Sequence, residues 1–250
     1  MSEFIQTAVQ DGVQTIRIAR PEKKNALNVA MYEALHVALT NGERSADVGV
    51  HVLLGQPGIF VAGNDIADFL EAGQRGPEGL SPVIEFLRAL VFSKKPLIAA
   101  VDGLAVGIGA TLLLHCDMAF ASPEAVFITP FTDLGLVPEA GSSLIVPQRM
   151  GQARAFAFLV AGEPMTAEAA REAGLINAIV PREKLEAHAM AAAVKLTAKP
   201  QQALALSRRL VRGDPAPIWT RVEEEARLFV ERLASDEARQ AFQAFMQKRK

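Results

Sequence analysis

The sequence predicts an α/β fold, and two observations support this prediction. Segments with strand character alternate with segments of helical spacing along most of the chain, which is the order typical of α/β proteins. At 250 residues the chain can be one large α/β domain and is long enough to bury a substantial core. No strand signal remains beyond Pro200, so we expect a core unit at residues 1–198 and a helical region at residues 199–250.

The elements can be assigned in chain order. The chain opens with a hairpin, because strand-like segments flank an Asp11-Gly12 pair, which is a strong turn signal. Asn28 can cap the helix that follows, in which Met31 and Leu35 fall on one face. The remaining elements are strands at 50–55, 96–103 and 118–121, an apolar helix after Gly109, and helices near 81–92, from Thr166 to Gly174, and at 201–212, 217–233 and 236–249, with loops at 56–65 and 70–82.

Composition and charge argue against several classes of protein. The formal net charge is −2 and no basic stripe with interleaved aromatic residues is present, so we expect no nucleic-acid partner. The longest apolar run, at 104–114, is about half of the roughly 20 residues needed to cross a bilayer. The first residues lack the pattern of a secretory signal. Cys116 is the only cysteine and cannot form an intramolecular disulfide. We therefore expect a cytoplasmic protein without a membrane segment.

Metal and nucleotide sites also find no support in the sequence. The four histidines are scattered without paired spacing, at His36, His51, His115 and His188. Gly107 and Gly109 do not complete the dinucleotide-binding pattern, and no Walker pattern appears. We expect no metal ion and no nucleotide cradle.

Two glycine-containing stretches and one acidic turn remain as candidates for chemistry. The stretches "FVAGND" at 60–65 and "GLAVGIGAT" at 103–111 could expose N–H groups to a single oxygen, or could serve only for close packing. Glu139 lies in "TPFTDLGLVPEAGSS", at 129–143. It is either a solvated corner or a carboxylate in apolar surroundings, where its pKa would rise toward that of a useful base.

Six stretches, taken together, resemble the crotonase superfamily, also called the enoyl-CoA hydratase/isomerase family. They are "ARPEKKNALN", "FVAGNDIADF", "KKPLIAAVDGLAVGIGATLLLHCDMAFAS", "FITPFTDLGLVPEAGSS", "GEPMTAEAAREAGLINAIV" and "AFQAFMQKRK", and they span nearly the whole chain. The resemblance implies a ClpP-like spiral of ββα turns, followed by a C-terminal helical region that oligomerises and covers the active site. It also implies a homotrimer or a dimer of trimers.

The resemblance implies a CoA thioester as ligand, with CoA as part of the substrate and no separate cofactor. Two backbone amides would stabilise a thioester enolate, and they fall on Asn64 and Ile108. The residues implied to bind CoA or substrate are Lys24, Asn25, Ala26, Leu27, Ala62, Gly63, Asp65, Ile66, Gly107, Phe131, Phe245 and Lys248.

Two departures from the family pattern decide between reaction types. Hydratases of the family carry two glutamates, at positions that are Thr111 and Phe131 in this chain. Glu139 instead matches the single catalytic glutamate of the Δ3,Δ2-enoyl-CoA isomerase branch, in which "GND", "TPF" and "PE" with a following Gly-Ser-Ser recur. The sequence therefore predicts an isomerase, with Phe131 making the site drier. A hydratase, or a promiscuous hydratase/isomerase, is the alternative; a non-catalytic CoA-thioester-binding or RNA-binding relative is a second one.

Overall fold

A computed structural model of the protein describes residues 2–74 and 76–248. The strands in this part of the chain are, in order, β1 (Ile5–Gln10), β2 (Val13–Ile18), β3 (Val50–Leu54), β4 (Ile59–Val61), β5 (Leu97–Val101), β6 (Leu104–Val106), β7 (Met118–Ala121), β8 (Val126–Ile128), β9 (Met165–Thr166) and β10 (Ala178–Ile179). The α-helices are α1 (Val29–Arg44), α2 (Ile66–Gln74), α3 (Ser81–Phe92), α4 (Ile108–Thr111), α5 (Ser142–Met150), α6 (Gln152–Leu159), α7 (Ala167–Glu172), α8 (Arg182–Thr197), α9 (Gln201–Arg212), α10 (Ala216–Leu233) and α11 (Asp236–Lys248).

The larger sheet has the order β1-β2-β3-β5-β7-β10. Its first pair is the expected antiparallel hairpin, and the later neighbours are parallel. Every residue of β3 and β5 is buried, as expected for parallel strands covered on both faces. Val52 and Leu54 pack toward α8, and Leu53 points into the main core on the other side.

The smaller sheet has the order β4-β6-β8-β9. The pairs β3–β4, β5–β6 and β7–β8 each place their first strand in the larger sheet and their second in the smaller one. This repeated step is the expected spiral of ββα turns. Because β4 and β6 are parallel neighbours, the segments after their carboxyl ends lie at the same edge of the sheet.

The smaller sheet is the main difference from the sequence expectation, which assigned 56–65 to a loop and began the apolar segment after Gly109 as a full helix. β4, β6 and β8 have only three residues each, too few for an alternating pattern to emerge. The helix after Gly107 ends at Thr111 and continues as a 3-10 turn to His115.

The C-terminal helices return to the core. α10 packs against α3, α5 and α2, and Val222 and Phe229 on it belong to the main hydrophobic cluster. α9, in contrast, has no buried residue. No helix in the described part of the chain combines the length and apolarity needed to cross a membrane.

Candidate active site

A cavity of about 390 Å³ lies between α10 and the helices that cover the sheets. Most of its wall is apolar, and is formed by Phe69, Leu80, Val83, Ile84, Leu87, Ala140, Val222, Ala226, Phe229 and Val230. Three polar side chains face it from other elements: Tyr32, Asn64 and Glu139. Arg227 and Glu231 complete the lining, and their ion pair is more than half exposed, so it marks the solvent side.

The first glycine stretch brings the Asn64 amide to this cavity. The Leu27 N–H donates to the Gly63 carbonyl at 2.8 Å, and the Asp65 N–H donates to the Leu27 carbonyl at 2.8 Å. Gly63 has φ +87° between these two hydrogen bonds. The Asn64 N–H points away from the Leu27 segment. Among the described residues, the Asn64 N–H donates no hydrogen bond. It is therefore available to an oxygen of a ligand.

The second glycine stretch presents the Ile108 amide. Gly107 has φ +54° and ψ −118°, a conformation that residues with a Cβ rarely adopt. It turns the chain from β6 into α4, and Ile108 provides the first helical N–H, which has no partner within a helix. A Cβ on Gly109 would lie 2.5 Å from the Val61 carbonyl oxygen. The start of α4 therefore packs directly against β4, which precedes Asn64.

Glu139 is hydrogen-bonded to the short helix that begins with this second amide. The Thr111 hydroxyl, three residues after Ile108, donates a hydrogen bond to Glu139 Oε1. The pKa of Glu139 is raised to about 8, chiefly by burial and also by the nearby charge of Glu225, while the Thr111 hydrogen bond opposes this rise. The small exposed area of Glu139 faces the cavity, so its charged form has little water around it. Such a carboxyl group can take up and release a proton near neutral pH.

The turn that carries Glu139 is held in an unusual backbone conformation. Ala140 has φ +62°, which a side chain with a Cβ disfavours. His115 Nε2 lies 2.8 Å from the Ala140 carbonyl oxygen, which can only accept, so this nitrogen carries the proton. Burial lowers the pKa of His115 to about 4, and the ring is therefore neutral. Its hydrogen bond fixes the residue that follows Glu139.

Tyr32, on α1, is a residue at the cavity that was not singled out from the sequence. Its hydroxyl donates to Asn64 Oδ1, and its ring is buried at the cavity wall. Burial, and then the charge of Glu139, raise the pKa of Tyr32 well above its usual range, so the hydroxyl stays protonated. A buried tyrosine needs a partner for its hydroxyl, and this need is the only signal that the sequence offers.

The two segments expected to bind CoA lie side by side. The Ala62 N–H donates to the Lys24 carbonyl at 3.2 Å, and Lys24 itself is exposed. The Asn25 side chain is fully buried and is bonded to Arg20, Ile59 and Phe60 backbone atoms.

Several of the other expected contacts are structural or outside the cavity. Asp65 forms an ion pair with Arg20 at 3.0 Å. Phe131 is buried in the core and does not line the cavity, whose apolar wall comes from other residues. The side chains of Phe245 and Lys248 lie outside the described part of the structure. Contact of these four residues with CoA or substrate stays a prediction.

The two sheets with their repeated strand pairs and the C-terminal helices define a protein of the crotonase fold. The chain belongs to the enoyl-CoA hydratase/isomerase family, whose model matches residues 8–250. Mixed α/β architecture with C-terminal helices is thereby confirmed.

The curated relatives include proteins named isomerases and a protein named a probable hydratase. The chain is 32% identical over 250 residues to enoyl-CoA delta isomerase 2 of Rattus norvegicus, covering 98% of this chain and 64% of the relative. It is 35% identical over 249 residues to a probable enoyl-CoA hydratase of Rhodobacter capsulatus, covering 98% and 95%. It is also 35% identical over 217 residues to 1,2-epoxyphenylacetyl-CoA isomerase of Escherichia coli, covering 84% and 82%.

Solved structures agree with the fold. An enoyl-CoA hydratase/isomerase from Pseudoalteromonas atlantica superposes with a TM-score of 0.93 at 36% identity, covering 98% of each chain. OdaA from Pseudomonas aeruginosa gives a TM-score of 0.92 at 41% identity, covering 98% of this chain and 99% of that one.

Proposed function

We propose that the protein is an enoyl-CoA isomerase that moves the double bond of a 3-enoyl-CoA to the 2-position. The observation that carries the proposal is the desolvated carboxyl group of Glu139, which lies at an apolar cavity lined by Asn64 and is bonded to Thr111 of the short helix that Ile108 begins. One carboxyl group is enough for this reaction, because the proton taken from one carbon is returned to another.

In the proposed mechanism, ionised Glu139 removes a proton from C2 of the substrate. The C–H electrons form a C1–C2 double bond and the carbonyl electrons move onto the thioester oxygen, while the C3–C4 double bond stays in place, so the resulting dienolate keeps much of its charge on that oxygen. The Asn64 and Ile108 N–H groups donate to that oxygen, a contribution of about 3 kcal/mol per donor in other enzymes. Protonated Glu139 then delivers the proton to C4. The C3–C4 electrons bind this proton, the C2–C3 double bond forms from the C1–C2 electrons, and the oxygen charge restores the thioester carbonyl. No separate cofactor is consumed.

The lining of the cavity favours isomerisation over hydration. Water addition in this family uses two carboxylates, and Thr111 and Phe131 occupy their positions. Among the described residues that line the cavity, the other carboxylate is Glu231, which is exposed and paired with Arg227 at 2.6 Å. Hydration remains the second candidate, because relatives of comparable identity are named hydratases.

Several further expectations belong to the same proposal. The thioester substrate carries its CoA across residues 24–27 and 62–66, and the chain assembles as a homotrimer or a dimer of trimers. A reducing cytoplasmic setting suits Cys116, whose thiol stays protonated because burial raises its pKa to about 12.

Glu139→Gln tests the assignment directly. The amide keeps the size of the side chain but cannot act as a base, so we expect 3-enoyl-CoA isomerisation to fall by about 1,000-fold. Isomerisation is followed by the absorbance of the conjugated 2-enoyl thioester. Glu163→Gln is the matched control, since Glu163 is exposed and outside the cavity.

Two further measurements complete the experiment. Binding of a saturated acyl-CoA and the circular dichroism spectrum are expected to be unchanged in Glu139→Gln. Hydration of crotonyl-CoA is measured in parallel on the native protein. Native-like isomerisation by the variant would overturn the role of Glu139, and hydration faster than isomerisation would replace the proposed reaction by the second candidate.

A further inference from the structure

Glu225 is a carboxylate that is buried although the reaction does not use it directly. It lies on α10 and is only 4% exposed. Its Oε2 accepts the Gly141 N–H at 2.6 Å, and its Oε1 accepts the Ser143 N–H at 2.9 Å and the Ser143 hydroxyl at 2.6 Å. Burying a carboxylate is costly unless such partners compensate. Both of its oxygens therefore have hydrogen-bond donors within the protein.

These donors belong to the turn that carries Glu139. Gly141 and Ser143 follow it by two and four residues and form the start of α5, where the first N–H groups have no partner within the helix. Neither Gly141 nor Ser142 caps this helix with a side chain. The carboxylate from α10 takes this place, and its negative charge is favourable at a helix N-terminus.

We propose that Glu225 is a positioning residue for Glu139, which fixes the turn at 139–143 and holds a second negative charge behind the cavity. The inference rests on the proposed function, which assigns Glu139 as the base. α10 also provides Val222, Ala226, Phe229 and Val230 of the apolar wall. The same helix therefore shapes the cavity and anchors the turn from which the base enters it.

Several charged or titratable groups surround Glu139 and Glu225. Among the described ones, Glu225 is the group whose charge acts on Glu139. Tyr32 faces Glu139 from α1 as a protonated hydroxyl, and neutral His115 contacts Ala140. Arg221 donates to the Ser143 hydroxyl at 3.2 Å and also pairs with Glu224. The pair Arg227–Glu231 lies at the exposed side.

The ionisation of Glu225 follows from its contacts. Burial keeps the pKa of Glu225 above its ordinary value, although the donors of Ser143 and Gly141 and the charge of Arg221 oppose this rise. Two of the contacts of its oxygens are backbone N–H groups, which can only donate, and the Ser143 hydroxyl, which accepts from Arg221, donates the third. The ionised form is the one that these contacts stabilise.

Glu225→Gln is the test, with Glu223→Gln as its matched control. Glu223 lies two residues earlier on α10, is exposed, and loses the same charge in the variant. For Glu225→Gln we expect kcat for 3-enoyl-CoA to fall by about 10-fold or more, with KM within about twofold of native, because the turn loses a hydrogen bond. We also expect the acidic limb of the pH–rate profile to move down by about half a pH unit or more, since a neighbouring negative charge has been removed.

The outcomes separate this inference from the proposed function. Absence of isomerisation by the native protein would count against the function, whereas native isomerisation with Glu225→Gln indistinguishable from Glu223→Gln would overturn the role of Glu225. A fall in kcat without the shift of the acidic limb would also overturn it, because a merely structural role gives that result.

A second variant keeps the test decisive if Glu225→Gln does not fold. Glu225→Asp retains the charge and lengthens the contacts to the turn, so kcat is expected to fall while the acidic limb stays where it is. Native kcat in Glu225→Asp would contradict the positioning role. Thermal unfolding of every variant checks that the folded protein is compared.

Discussion

At the residue scale, the site depends on a carboxyl group that the protein keeps poorly solvated. Glu139 has the Thr111 hydroxyl as its hydrogen-bond partner and apolar side chains around the rest of the cavity. A base of this kind is stronger than a surface carboxylate, because its neutral form is favoured. For the same reason, ionisation of Glu139 lowers the free energy of unfolding.

This effect predicts how stability depends on pH. The pKa of Glu139 is about 8 in the folded chain against an ordinary value of 4.5, so the folded state binds more protons between these values. The stabilisation from the protonated form is complete below about 4.5 and is lost as the pH rises through about 8. We expect Glu139→Gln, which does not titrate, to gain on the order of 4 kcal/mol relative to native between pH 5 and pH 9.

Urea unfolding at several pH values measures this difference. The matched control is again Glu163→Gln, whose exposed carboxyl group should leave the difference from native constant. Curves for Glu139→Gln and native that stay parallel from pH 5 to pH 9 would show that the folded protein does not perturb Glu139.

The individual site residues differed in how far the sequence could predict them. Asn64 and Glu139 follow from short motifs, and the structure brings both to one cavity. Tyr32 and Glu225 reach the site from α1 and α10, and neither was singled out from the sequence. Their positions at the site depend on tertiary contacts, which local spacing does not encode.

At the element scale, the geometry of the amides depends on how closely α4 approaches β4. The sequence identified the glycines that make this approach possible but missed β4 and β6, because three-residue strands lack a recognisable period. From the sequence, the glycines of the stretch at 103–111 could therefore serve either for close packing or for exposing a backbone N–H group to a ligand. In the structure they serve both purposes, since the close contact at Gly109 positions Ile108.

Gly109→Ala tests this coupling of packing and amide position. The new Cβ would lie 2.5 Å from the Val61 carbonyl oxygen and 2.8 Å from Val61 Cβ, so α4 must move away from β4. We expect a loss of about 1–3 kcal/mol in the free energy of unfolding and a fall in kcat of about 10-fold or more, because the Ile108 amide moves. Denaturant unfolding and the isomerase assay measure the two effects.

The control for this variant is Gly49→Ala. A Cβ there would have its nearest neighbours at 3.5 Å, an ordinary contact, and Gly49 does not have a positive φ. Its activity is expected to match native. Native kcat in Gly109→Ala would show that the position of Ile108 does not matter for turnover.

At the scale of the whole molecule, the C-terminal region does not behave as a simple appendage. α10 closes the cavity and anchors the turn of Glu139, so the core at 1–198 lacks part of its site without residues 199–250. The composition change near Pro200 marks where strands end. It does not mark where the site ends.

α9 is the helix whose apolar side chains stay exposed in a single chain. It is fixed to the core by arginines: Arg208 pairs with Asp117 at 2.8 Å, and Arg212 donates to the His115 carbonyl at 2.8 Å. Its apolar residues face outward instead, with Leu210 79% and Val211 87% exposed. Exposed apolar patches of this kind mark surfaces that contact other proteins, which is consistent with the proposed homotrimer.

Leu210→Glu tests whether this surface joins copies of the chain. The charge would be buried at an interface but solvated on a free surface, so we expect sedimentation velocity to show a shift from the oligomer to single chains. Gln202→Glu, which places the same charge at an exposed polar position of α9, is expected to leave the oligomer intact. Because Leu210 is so exposed, neither variant should change the circular dichroism spectrum. An oligomer that survives Leu210→Glu would exclude this face of α9 from the interface, and native protein sedimenting as a single chain would contradict the trimer itself.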